Sequence, residues 1–346
     1  MFKRIIAYIR TKDERQMQKL LVSALEPSAN LHLETYLKEH KDVVLRGVFD
    51  KSLGMPDVGS HEFSVMGFLD VIGKLMLARS TIKKLVEISK ECDEVLLIDA
   101  PAFNIPLAKA IKEANKNVKV TYYILPKVWA WKSGRIKTVN KFTDEQAYIF
   151  PFENRYWKNG TYVGNPLLKQ IKNFKESVTK DGAVAFLPGS RKSEIRKLMP
   201  IFNDVAKNIV GEKVIVIPKH FDDETIALLY GDLSAYKIMR DAREVLYEAK
   251  EAVVCSGTAT LEAALIGTPF VLVYKASPID EWIVRRFVKL KYAGLANILF
   301  DFEGREIMHA ELLQEAVNAK NILEELRKID PQSFLDKSFE LRKLLA

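Results

Sequence analysis

The chain has 346 residues, with 53 Lys and Arg against 45 Asp and Glu, a formal net charge of +8, and 48% hydrophobic and 28% charged residues. This composition excludes a disordered chain and leaves room for two domains of ordinary size, and its positive balance favours anionic partners: phosphorylated substrates, anionic lipid surfaces or nucleic acid. Cys92 and Cys255 stand far apart in apolar runs, which excludes a disulfide framework or thiolate metal site and suits a reducing cytoplasm; no apolar run approaches the roughly 20 residues that span a bilayer.

At the N-terminus, Lys3, Arg4, Arg10, Lys12 and Arg15 surround an apolar core at 5–9. That core is shorter than the roughly 7–15 residues of a signal-peptide core, so secretion is not expected, and 1–18 reads as a possible extension before the first strand. Strand-like runs follow at 19–25, 43–48, 94–98, 119–124, 146–149, 183–187, 213–217, 252–255 and 270–274, with helical patterns such as 105–115, 193–209 and 241–250 between them. The alternation predicts an α/β chain with parallel sheets covered by helices on both faces, and ligands outside the carboxyl ends of the strands. A break near Gly164-Asn165-Pro166 predicts two similar halves, 1–164 and 165–330, with a cleft between them; a last helix at 333–345 is expected to pack back on the first half.

Taken in chain order, the first unusual segment is 63–77, whose apolar residues cover more than one helical face. It suits an acyl-chain groove or interfacial helix, and equally a core helix. Next, Leu97-Ile98-Asp99-Ala100-Pro101-Ala102-Phe103-Asn104 places Asp99 at a strand end, with Asn104 beginning the following helix. A carboxylate there suits a general base, or a loop-fixing cap. Trp129 and Trp131 follow another strand end, either lining an acceptor cleft or packing.

In the second half, Leu187-Pro188-Gly189-Ser190-Arg191 offers a glycine for backbone approach, a hydroxyl at Ser190 and a guanidinium for phosphate. After the run at 252–255, Ser256-Gly257-Thr258-Ala259-Thr260-Leu261-Glu262 opens a helix. Its free amides and positive dipole end form a ready anion site, with Glu262 one turn in to accept from ribose hydroxyls; the alternative is an ordinary capped helix. Together the two segments point to a nucleoside diphosphate. The basic, aromatic stretch 282–292 suits an anionic membrane surface or a plain surface helix. His32, His40, His61, His220 and His309 show no ligand spacing, so no metal is expected.

These motifs in this order, with Val65-Met66-Gly67 and Asn297, resemble the lipid A disaccharide synthase family from about residue 19 to 326. The resemblance implies a GT-B fold of two Rossmann-like domains with parallel sheets facing a central cleft. It implies a metal-free, cofactor-free, inverting transfer from UDP-2,3-diacylglucosamine to 2,3-diacylglucosamine 1-phosphate at the cytoplasmic face of the Gram-negative inner membrane. It assigns Asp99 as base and Arg191 as leaving-group contact. Gly189, Ser190, Ser256, Gly257, Thr258, Glu262 and Asn297 fall on the donor side. Glu26, Ser28, Val65, Met66, Gly67 and Asn104 fall on the acceptor or acyl side. One departure stands out: where the family has Gly-Glu-Thr-Ser-Gly-Asp, this chain has Leu25-Glu26-Pro27-Ser28-Ala29-Asn30. Two other readings are a GT-B enzyme acting on UDP-N-acetylglucosamine (an epimerase or lipid-carrier glycosyltransferase) and a non-enzymatic basic binder of membranes or nucleic acid. The dispersed basic residues and the lack of a recognised nucleic-acid module argue against the last.

Overall fold

A computed structural model describes residues 17–65, 71–276 and 290–346. The chain divides into two units, Met1–Pro166 and Leu167–Ala346. In the first, β1 (Gln18–Ser23), β2 (Val43–Phe49), β3 (Val58–Gly59), β4 (Glu94–Ile98), β5 (Lys119–Tyr123), β6 (Glu145–Tyr148) and β7 (Thr161–Tyr162) form a sheet ordered β3-β2-β1-β4-β5-β6-β7. Its helices are α1 (Pro27–Glu39), α2 (His61–Val65), α3 (Val71–Ser89), α4 (Pro101–Ala114) and α5 (Arg135–Phe142).

The second unit repeats the plan. Strands β8 (Val184–Leu187), β9 (Lys213–Val216), β10 (Lys237–Met239), β11 (Glu251–Cys255), β12 (Phe270–Tyr274) and β13 (Glu311–Leu313) are ordered β10-β9-β8-β11-β12-β13. Around them lie α6 (Pro166–Gln170), α7 (Lys192–Lys207), α8 (Asp223–Tyr230), α9 (Ala242–Glu248), α10 (Thr258–Ile266), α11 (Leu295–Phe302), α12 (Ala319–Lys328) and α13 (Pro331–Leu345). Every strand pair in both sheets is parallel. Each sheet follows the dinucleotide-binding order, and its direction of winding reverses at one place: between β1 and β4, and between β8 and β11. There, neighbouring crossovers leave in opposite directions and a crevice opens beyond the strand ends.

The central strands are buried on both faces, which requires continuous apolar runs rather than alternation. Leu20-Leu21-Val22, Val95-Leu96-Leu97-Ile98, Val184-Ala185-Phe186 and Ala252-Val253-Val254 are all within 1% of full burial. Each large side chain among them contributes about 1.5–3 kcal/mol by leaving water. Gly47 pairs with Val22 at φ +107, and a Cβ there would lie 2.3 Å from the Val22 carbonyl oxygen; the tight β1–β2 register therefore needs a glycine.

The edge strands β3, β10 and β13 have two or three residues each and were not anticipated from the sequence; β7, also short, ends just before the expected break near Gly164. The terminal helix, expected to return to the first half, is part of the second unit. Arg342 on α13 donates Nε to Leu265 O at 2.7 Å and Nη2 to Ile266 O at 3.2 Å. It thereby serves carbonyls that the end of α10 leaves without intrahelical donors.

Candidate functional site

The crevice at the winding reversal of the second sheet is a cavity of about 360 Å³. Gly189, Ser190 and Arg191 line it from the β8 end, and Ser256, Gly257 and Thr258 from the β11 end. Gly189 has φ +98, and a Cβ would come within 2.6 Å of Glu194 Oε2 and 3.2 Å of Cys255 Sγ. The turn passes this close only as glycine. Helix α10 starts here with Gly257 as its N-cap, no side-chain cap and no acidic residue in its first turn. Its leading amides and dipole therefore face the cavity without a competing side-chain acceptor of their own.

Arg191 donates Nη1 to Glu194 Oε1 at 2.8 Å, and this contact holds the guanidinium above its ordinary pKa. Glu194 itself is 8% exposed, so the pair fixes a largely exposed arginine on a buried acid. Burial pushes the Cys255 thiol up to about 12, leaving a neutral wall. The sequence reading missed Arg240, which also lines the cavity; its Nη1 donates to Pro218 O at 2.9 Å and Phe221 O at 3.3 Å. The available signal was a charged residue directly after a strand, but that strand, β10, was itself missed.

Two residues expected on the donor side are occupied by the scaffold. Glu262 is not among the residues lining the cavity; its Oε1 accepts from Arg243 Nε at 2.9 Å and Nη2 at 2.8 Å. Burial raises the Glu262 pKa while Arg243 opposes the rise. Arg243 also donates Nη1 to Gln170 O at 2.9 Å, so this pair ties α9 and α10 to α6. Asn297 is fully buried: Nδ2 donates to His309 O at 2.9 Å and Glu311 Oε1 at 2.8 Å, while Oδ1 accepts from Met308 N at 2.8 Å and His309 N at 3.2 Å. Every polar atom of that side chain is thus spent on holding α11 to the 308–311 segment.

In the first unit, Asp99 stands directly after β4, at the winding reversal. Asp99 and Ala100 both adopt left-handed backbone, at φ 50 and φ 42, before Pro101 opens α4. Each such non-glycine residue costs on the order of 1–3 kcal/mol and persists only when its surroundings over-determine it. Here the Asp99 carbonyl accepts from Tyr122 Oη at 2.8 Å and from Asn104 Nδ2 at 2.8 Å, and Asn104 Oδ1 accepts from Ser23 Oγ at 2.6 Å. Asn104 is fully buried in the first turn of α4, and its amide supports the turn carrying Asp99. Burial pushes the Asp99 carboxyl above its ordinary pKa, while the Lys127 charge and the Ala100 amide oppose that rise.

The altered 25–30 loop has a physical account. Asn30 Nδ2 donates to Ala24 O at 3.1 Å and Glu26 O at 3.0 Å, and its Oδ1 accepts from Asp50 N at 2.7 Å. A carboxylate could not serve those two carbonyls, so an asparagine orders a loop that lacks glycines. Glu26 is the exposed N-cap of α1 and Ser28 lies in the first turn. Beside them a cavity of about 400 Å³ is lined by Leu25, Asn30, Asp50, Ser60 and His61. Val65 ends α2; Met66 and Gly67, and residues 282–289 of the basic stretch, lie outside the described residues. On α3, Leu75 and Met76 are 52% and 62% exposed, whereas Leu85 is fully buried. Among the described residues, no group of three or more His, Cys, Asp or Glu is placed to hold a metal ion.

A family model described as lipid-A-disaccharide synthetase matches residues 20–333. The lipid-A-disaccharide synthase of Campylobacter jejuni strain RM1221 is 48% identical over 351 residues, covering 95% of this chain and 96% of the relative. That of Helicobacter acinonychis strain Sheeba is 43% identical over 344 residues, covering 95% of each. Among solved structures, the UDP-GlcNAc 2-epimerase from Neisseria meningitidis bound to UDP-GlcNAc matches with TM-score 0.57 at 12% identity, covering 93% of this chain and 94% of that one. Acinetobacter baumannii MurG matches with TM-score 0.55 at 12% identity, covering 94% and 95%. At such identities these likenesses carry the fold alone, which is the GT-B class shared by glycosyltransferases and epimerases.

Asn297→Ala strands the buried Met308 and His309 amides, and each unsatisfied buried group costs about 1–3 kcal/mol. The urea midpoint should fall by an amount equivalent to roughly 3 kcal/mol. An unchanged midpoint with weakened nucleotide binding would instead place Asn297 at the ligand.

Proposed function

The chain belongs to the lipid-A-disaccharide synthetase family, and from that membership we propose how its residues divide the work of a glycosyltransferase. The reaction carries 2,3-diacylglucosamine from UDP-2,3-diacylglucosamine to the 6-hydroxyl of 2,3-diacylglucosamine 1-phosphate. The products are a β-1,6-linked tetraacyl disaccharide 1-phosphate and UDP. The first unit supplies the acceptor side and the second the donor side.

In the donor unit, the diphosphate occupies the cavity between Gly189-Ser190-Arg191 and Ser256-Gly257-Thr258. This cavity is the single observation that carries the assignment. The oxygen of the acceptor hydroxyl attacks the anomeric carbon as the bond from that carbon to the diphosphate oxygen breaks. Asp99 takes the hydroxyl proton, and the configuration at the anomeric carbon inverts. Negative charge leaves on UDP, where Arg191 and the amides opening α10 offset it. Each such preorganised contact is typically worth about 3–4 kcal/mol in the transition state. The strained turn and the burial of Asp99 suit this role: the turn fixes the carboxyl at the strand end, and burial raises its pKa above the ordinary carboxylate value.

We further infer that the enzyme works peripherally at the cytoplasmic face of the inner membrane. Support comes from the net charge of +8 and from the exposed Leu75 and Met76 on α3. Among the described residues no helix is long and apolar enough to cross a membrane.

Two outcomes are expected. Asp99→Asn should lower kcat by about 10²–10⁴-fold while the affinity for UDP stays unchanged. In the unsubstituted enzyme kcat/KM should fall with acidification through a pKa above the ordinary carboxylate value, because the base works only when ionised. A wild-type rate in Asp99→Asn would remove Asp99 from the chemistry. For the membrane, sedimentation with phosphatidylglycerol vesicles should drop severalfold on Leu75→Glu with Met76→Glu. Undiminished sedimentation would move the contact elsewhere.

A further inference from the structure

A cluster of cations follows β5, and nothing above assigns it. Between residues 127 and 143 the chain carries Lys127, Lys132, Arg135, Lys137 and Lys141 and no carboxylate. Two successive turns fold the start of this segment into a knot: Ala130 N donates to Lys127 O at 3.1 Å and Arg135 N to Lys132 O at 3.1 Å, with Lys132 itself left-handed at φ 53. At its centre Trp131 is 40% exposed, with Lys132 Nζ 4.4 Å and the Arg135 guanidinium 5.5 Å from its ring centroid. The indole face attracts both cations and so fixes where they point. Among the described residues, no carboxylate forms an ion pair with Lys127, Lys132 or Arg135.

The cluster borders the proposed base. The Lys127 charge reaches the Asp99 carboxyl, and the Arg135 charge reaches the Tyr122 hydroxyl that rests on the Asp99 carbonyl at 2.8 Å. The acceptor's 6-hydroxyl and 1-phosphate are borne on the two carbons that flank the same ring oxygen. A hydroxyl at Asp99 therefore leaves the phosphate in the neighbourhood of that carboxyl, which the Lys127 charge reaches, with Lys132 and Arg135 gathered on the Trp131 ring in the segment that follows. We propose that Lys127, Lys132 and Arg135, held around Trp131, bind the phosphate monoester of the acceptor glycolipid. This rests on the reading of Asp99 as the acceptor-side base. The same chemistry could instead receive a phosphodiester headgroup of the bilayer, and the test separates the two.

The full chain is assayed with acylated donor in neutral detergent micelles, against the acceptor and the same acceptor lacking its phosphate. The variant is Lys132→Gln with Arg135→Gln. Losing charge-assisted contacts of this kind corresponds to roughly a 10- to 100-fold weakening. The variant should therefore raise KM for the phosphorylated acceptor by that factor, with kcat held within about twofold and donor KM unchanged. The dephosphorylated acceptor should be unaffected; if it turns over too slowly, its inhibition constant against the natural acceptor is read instead. Equal losses for both acceptors, or a raised donor KM, would overturn the proposal as a general structural effect. A loss seen only on phosphatidylglycerol vesicles and not in micelles would overturn it in favour of a headgroup contact. Failure of Asp99 as base is read separately, from the kcat of Asp99→Asn.

Discussion

In a parallel sheet wound in both directions, two neighbouring strands must send their connections to opposite faces. Backbone amides and turn residues beyond those strand ends are then left open to a ligand. Both units of this chain obey that constraint at the corresponding strand pair, β1/β4 and β8/β11. What differs is the chemistry delivered there. The second unit brings a glycine turn, a guanidinium and the uncapped start of α10, which together suit a diphosphate. The first brings a carboxylate on a strained turn. One topology thus delivers amides and a guanidinium in one unit and a carboxylate in the other.

The strain at Asp99 and Ala100 links packing to chemistry. Two left-handed non-glycine residues in sequence are unfavourable, and the compensation comes from Tyr122 and Asn104 on the Asp99 carbonyl, with Ser23 behind Asn104. The carbonyl and amide of Asp99 are thus held by neighbouring elements, which sets the direction of its side chain. Burial then raises its pKa. Order in the second unit has a similar logic: Glu194 fixes Arg191, and the Arg243–Glu262 pair secures α10.

Much of this was legible in the sequence, for physical reasons. Central strands buried on both faces must be continuous apolar runs, so 94–98 and 252–255 read directly as strands. The turn at Gly189 and the start of α10 announce themselves through small residues at strand ends. Edge strands such as β10 are short and mostly exposed; they are defined by ladder bonds to a neighbour, which no local pattern records, and Arg240 was lost with them. Asn104 and Asn297 show the converse. A polar residue in a motif reads alike whether its amide meets a ligand or ties the scaffold, and here both amides are fully buried in bonds to the chain itself. The departure at 25–30 was visible as lost glycines, but its compensation depends on Asn30 reaching Asp50, a contact across 20 positions of sequence.

The proposed seat of the diphosphate is the opening of α10 and the Gly189 turn. Amide hydrogen exchange with and without saturating UDP tests this directly. Exchange should slow at residues 189–191 and 257–259, while the amides around Asp99 keep their rates. Tight UDP binding with protection elsewhere, and none at those two turns, would contradict the account.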